Sequence, residues 1–167
     1  MLEFLLFLSF PAAMAFAGAM DLLTMTIPNR ISIGLIAAFL VAAFVAPLGW
    51  TEIASHIGAG VLMLAIGIAL FAGGFLGGGD AKLLAAAALW FGFDGLVEYL
   101  LLVSIAGGAL VLLILTYRKF IPPLWLCRQP WAMRLHSKAG GVPYGIALAA
   151  AGLWLYPSTI WLHSLVV

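Results

Sequence analysis

Gly77-Gly78-Gly79-Asp80-Ala81-Lys82-Leu83, continued by the apolar run to Phe93, decides how this chain is laid across a bilayer. Three glycines interrupt a long hydrophobic stretch, and an aspartate and a lysine follow at once. The segment from Lys82 to Phe93 is apolar but shorter than the ~20 residues a helix needs to cross the hydrocarbon core. Whether it counts as a span fixes the side on which everything after it falls.

The rest of the chain is plainly membrane-like. Of 167 residues, 66% are hydrophobic and only 8% charged, where a soluble domain carries roughly 25% charge. Mean hydropathy is +1.23. The apolar segments are Leu2–Met20, Ile31–Gly49, Ala54–Phe75, Lys82–Phe93, Leu96–Tyr117 and Val142–Leu165. Turn-forming groups separate them: Pro28-Asn29, Pro47-Leu48-Gly49, the glycines 77–79, Phe93-Asp94-Gly95, Pro122-Pro123 and Gly140-Gly141-Val142-Pro143. The expected fold is all-α: a polytopic membrane helix bundle of about six transmembrane helices, the fourth one short. A short span is tolerated where protein covers its polar backbone. Residues 1–167 read as a single transmembrane domain with one sizeable loop, about 118–141. The N-terminal stretch carries Glu3 and no basic region, and reads as a retained span.

Charge settles the count. With six spans, all seven basic residues (Arg30, Lys82, Arg118, Lys119, Arg128, Arg134 and Lys138) fall on one side. Glu3, Glu52, Asp94 and Glu98 fall on the other. The positive-inside rule makes the first side cytoplasmic and puts both termini outside. Removing the short span would scatter the basic residues over both faces. Asp21 and Asp80 are then the two acids at the cytoplasmic edge.

Acids in or beside a span cost about 2.5–3.5 kcal/mol if drawn to the bilayer centre, so they are kept for a reason. Alone, each has an ordinary explanation as a topology signal or, for Asp80, a helix cap. Together on one face they form a candidate carboxylate pair. Two close carboxyl groups do not both ionise easily. The ionised one can take a proton from water while the neutral one hydrogen-bonds a scissile carbonyl. The glycines before Asp80 let an extended backbone come close.

Other chemistry finds little support. No dense basic stripe suggests nucleic acid. The single cysteine, Cys127, excludes an internal disulfide and a cysteine-rich zinc knuckle. His56, His136 and His163 have no spacing for a metal site, and no cofactor is expected. Ser32, Ser104, Ser137 and Ser158 lack a nearby base. Asn29 reads as the cap of the second span, with Pro28 restricting the turn. Lys82 reads as a snorkelling anchor or a tuner of the pair. Tyr144 reads as an interfacial aromatic or a group near the site. Pro122 to Trp131 reads as a segment lying at the headgroups. The Ala-rich runs Ala12–Ala19 and Ala85–Ala88 suit close helix packing.

Three stretches in order carry a resemblance. They are Asp21 followed after six residues by Pro28-Asn29, the run Gly77-Gly78-Gly79-Asp80-Ala81-Lys82-Leu83, and Val142-Pro143-Tyr144-Gly145-Ile146-Ala147. The chain resembles the prepilin peptidases, membrane aspartyl proteases of the GxGD type, over most of its length. The resemblance implies Asp21 and Asp80 as the catalytic pair. Gly77, Gly79, Lys82, Pro28, Asn29, Pro143 and Tyr144 would support the site or bind substrate. It implies as partner a prepilin-like membrane precursor with a short basic leader, cut after a small residue, usually Gly, in the bacterial cytoplasmic membrane. Larger members also N-methylate the product and carry paired cysteine motifs. Here one cysteine and a first loop of about Leu22–Arg30 give no basis for methyl transfer, and the form is similar to the short peptidases of tight-adherence (Flp-type) pilus systems. Two other functions fit an acid pair less closely: a proton- or cation-coupled transporter, which expects acids near the midplane, and a non-catalytic secretion scaffold.

Overall fold

A straight helix of 40 residues would be ~60 Å long, about twice the thickness of a bilayer core. The computed structural model, which describes residues 2–46, 48–137 and 141–163, contains such a helix and breaks it. The elements are α1 (Leu2–Thr24), α2 (Asn29–Val45), α3 (Trp50–Ala72), α4 (Gly78–Tyr117), α5 (Leu124–Cys127), α6 (Pro130–His136), α7 (Gly145–Leu155), a 3₁₀ turn (Tyr156–Ser158) and α8 (Ile160–His163). The described residues contain no strand. Three helices are long and apolar enough to cross a membrane, in α1, α3 and α4; Asn29–Val45 and Gly145–Ser158 are shorter and also apolar.

The 40-residue α4 turns at Gly92. Its φ of 62° and ψ of −174° lie in a region that is essentially open only to glycine. The limbs on either side, 78–91 and 93–117, fold back on each other. Leu84 shares a cavity wall with Val103 and Val111, residues that a straight helix would hold ~28 Å or more away. Phe91 stacks on Tyr99 with ring centroids 4.6 Å apart. The first limb is ~21 Å long, which is the short fourth segment the sequence suggests.

That limb is the centre of the bundle. Ala86, Ala87 and Ala88 have no exposed surface, and α4 packs on α2, α3 and α7, while α1 packs on α2 and α7. The break at Gly92 strands carbonyls at the end of the first limb, which need partners from elsewhere. Leu89 O receives His56 Nδ1 at 2.7 Å, and Trp90 O accepts from Trp161 Nε1 at 2.6 Å. Trp90 Nε1 in turn donates to Leu35 O of α2 at 3.1 Å. His56 is therefore a structural residue of the turn. Outward faces are apolar: Ile33, Phe44, Val61, Ile105 and Leu113 are all more than half exposed, the inverse of a water-soluble surface and suited to lipid.

Charged groups divide between the two ends. Glu52, Asp94 and Glu98 share a cavity with His56 and Ser158 at one end. At the other, Arg134 donates to Leu23 O, Arg118 Nε donates to Leu135 O at 2.8 Å, and Lys82 Nζ donates to Asn29 Oδ1 at 2.9 Å. Lys138, Pro47 and Gly140 lie outside the described residues, as does the side chain of Glu3. The long loop folds into α5 and α6, with Ala132 and Leu135 buried and Phe120, Ile121, Leu124 and Trp125 exposed. Several boundaries differ from expectation: α2 and α3 each begin and end two to four residues earlier than the apolar segments Ile31–Gly49 and Ala54–Phe75. Asp21 lies within the last turn of α1, not after it. The final segment begins its helix only at Gly145, and it is interrupted at Pro157.

Candidate active site

Asp21 reaches its place because α1 continues past it and then stops hard. Met25 takes a left-handed conformation, φ 56°, and its N–H closes the last turn on Asp21 O at 2.8 Å. This is a common helix ending, although usually made by glycine. The chain then turns through Thr26 to Ile27, which is buried. Asp21 itself is 5% exposed.

Its carboxylate meets the start of α7. Gly145, the first residue of that helix, donates its N–H to Asp21 Oδ2 at 2.7 Å. One of the first-turn amides that a helix leaves unpaired thus finds its acceptor. The approach is close enough that any side chain here would displace Asp21 or Ile27. A Cβ on Gly145 would stand 2.8 Å from Asp21 Oδ2 and 2.7 Å from Ile27 Cδ1. Pro143, fully buried, sets the strand of chain entering this contact.

Asp80 comes from the start of α4. Gly77 is the N-cap and Asp80 the third helical residue, so the side chain folds back toward the cap as acids at this position do. A Cβ on Gly77 would stand 2.6 Å from Asp80 Oδ2. Gly79 lies against Ile27, where a Cβ would come to 3.2 Å. Asp80 lies within direct electrostatic reach of Asp21, and the Gly145 amide lies beside both carboxyl groups. Asp80 Oδ1 is buried with no hydrogen-bond partner among the described residues. Two acids 59 positions apart in sequence are thus brought together by three helix ends, those of α1, α4 and α7.

Beside Asp80 lies a cavity of about 480 Å³. Leu84, Leu100, Val103 and Leu148 make it apolar, and Tyr144 forms part of its wall. Tyr144 is half-buried and stands over Gly107 of the second limb. It belongs to the core packing around the site.

The remaining expected site residues are placed differently. Pro28, not Asn29, occupies the N-cap of α2, and no side chain caps it. Asn29 instead accepts from Lys82. Lys82 is two residues from Asp80 but leaves α4 on another face, so this pair stands apart from the two aspartates. The residues that sequence reading passed over are Gly145, quoted only as part of a motif, and Ile27, the spacer under both glycines.

A family model, the type IV leader peptidase family, matches residues 8–112, a stretch that contains both aspartates. The chain belongs to that family. No curated protein and no solved structure matches it. Membership in a peptidase family, with the apolar helices, makes this a membrane protein of peptidase descent. The match ends before α7, so the Gly145 contact is a feature read from the structure and not from the family model. The described residues hold no group of three or more His, Cys, Asp or Glu side chains placed to bind a metal ion.

Proposed function

We propose that this member of the leader peptidase family is a membrane aspartyl endopeptidase. It removes the short basic leader of prepilin-like precursors at the cytoplasmic face of the bacterial inner membrane. The observation that carries this reading is the meeting of Asp21 and Asp80 at the Gly145 amide. One carboxylate takes a proton from a water molecule, and the resulting hydroxide oxygen bonds to the scissile carbonyl carbon. The other, neutral carboxyl hydrogen-bonds the carbonyl oxygen as it gains charge. Proton transfer to the amide nitrogen then releases the amine and leaves a carboxylate on the leader. Gly145 holds Asp21 through Oδ2, which leaves the other oxygen for water or substrate. The unpaired Asp80 Oδ1 suits the same use.

The 480 Å³ apolar cavity fits a hydrophobic side chain flanking the cut. A substrate with a basic leader outside the membrane and an apolar helix within it would present that junction at the end where the two acids stand. The test is co-expression with a pilin precursor. A mobility shift with the native chain, absent with Asp80→Asn, supports the reading; an unshifted precursor, with the native chain present in the membrane, contradicts it.

A further inference from the structure

Between α2 and α3, both of which pack on α4, runs a furrow of about 360 Å³. Its floor is Ala85 and Ala86, and its walls are Ile33 and Ile36 from α2 with Val61 and Leu64 from α3. Ile33 and Val61 are 63% and 62% exposed, so the furrow opens sideways toward lipid. Ile33 and Ile36 follow Asn29 and Ser32 by one helical turn each, so the walls run about two turns inward from the mouth.

The mouth is chemically different from the walls. Asn29, Ser32 and Lys82 line it. Lys82 uses one of its three donors on Asn29. Ser32 is 4% exposed and faces the furrow, where its hydroxyl can donate to a ligand. The first turn of α2 carries no side-chain cap, so its amides also point toward this end. Arg30, one residue after Asn29, lines a separate cavity against α1, so the positive charge at this mouth is that of Lys82. No carboxylate lines the furrow. An apolar slot leading to a cluster of donors and positive charge is complementary to one molecule class in a membrane.

We propose that the furrow binds a single anionic phospholipid, with one acyl chain between α2 and α3 and its phosphate at Lys82 and Ser32. A partner helix is a poor occupant, since a helix with side chains is ~10–12 Å across and a volume of 360 Å³ is of small-ligand size. The site is separate from the two aspartates and stands whether or not the peptidase reading holds.

The test is native mass spectrometry of the full chain, released from micelles containing either phosphatidylglycerol or phosphatidylcholine of matched chains. One phosphatidylglycerol per chain should be retained, at least about fivefold in preference to phosphatidylcholine, the effect of one cation near an anionic headgroup. Lys82→Gln should abolish the preference. Val61→Trp, which fills the slot from an exposed wall position, should lower retention of both lipids. Asp21→Asn should retain lipid like the native chain, which separates this site from catalysis. Equal retention of the two lipids, an unaltered preference in Lys82→Gln, displacement by inorganic phosphate alone, or a dimer of the chain in place of bound lipid would overturn the proposal.

Discussion

The N–H of Gly145 donates to Asp21 Oδ2 at 2.7 Å, across 124 positions of sequence. This one bond ties the end of α1 to the start of α7 and puts a backbone amide on Asp21 and within reach of Asp80. A methyl group at residue 145 would push on both Asp21 and Ile27. Gly145→Ala is expected to lower the cleavage rate by about 10²-fold, the scale of a catalytic group moved by ~1 Å. Gly79→Ala, whose Cβ would meet Ile27 at 3.2 Å, should lower it less. Rates on one precursor, measured with matched amounts of folded protein, check the order.

The turn at Gly92 gives a prediction about stability. Any other residue there adopts a backbone conformation costing ~1–3 kcal/mol, and its Cβ would press the His56 ring at 3.2 Å. Gly92→Ala should therefore lower the melting temperature. Gly108→Ala, where a Cβ meets nothing within 4 Å, should leave it nearly unchanged.

His56 has a separable role. Replacing it by Phe keeps a ring among Phe39 and Trp161 but leaves Leu89 O without its donor. A loss of ~1–3 kcal/mol in stability is expected, with the cleavage rate per folded molecule unaltered. A large loss of rate without loss of stability would assign His56 to the chemistry instead.

Orientation is open to a thiol probe already in the chain. Cys127 is the sole cysteine and is exposed. With the basic end in the cytoplasm, a membrane-impermeant maleimide should leave Cys127 unlabelled in intact cells and label it after permeabilisation. Glu52→Cys in a Cys127→Ser background should label in intact cells. The reverse pattern would invert the topology.

Much of the architecture is legible in the sequence because a bilayer restricts the choices. The expectation that all seven basic residues share one side requires a short fourth segment, and the break at Gly92 supplies one, one residue from the Phe93-Asp94-Gly95 signal. Asp21 and Asp80 stand out because acids are rare in so apolar a chain. What was not legible depends on contacts between distant segments. Asn29 has the composition of a helix cap, yet a lysine from α4 takes its side chain. Gly145 and Ile27 carry no charge and no periodicity, so nothing local marks them. The carbonyls that His56 and Trp161 satisfy exist only once α4 is broken.

The central claim is that Asp21 and Asp80 act as one unit. The direct measurement is the single-turnover cleavage rate of a purified prepilin-like precursor by the native chain, Asp21→Asn, Asp80→Asn and the double variant, with each chain shown to be folded and inserted. Groups that act together give losses that are severe singly and not additive. Each single variant should lose nearly all activity, and the double variant should lose little more. Cleavage by folded Asp21→Asn at close to the native rate would contradict the account.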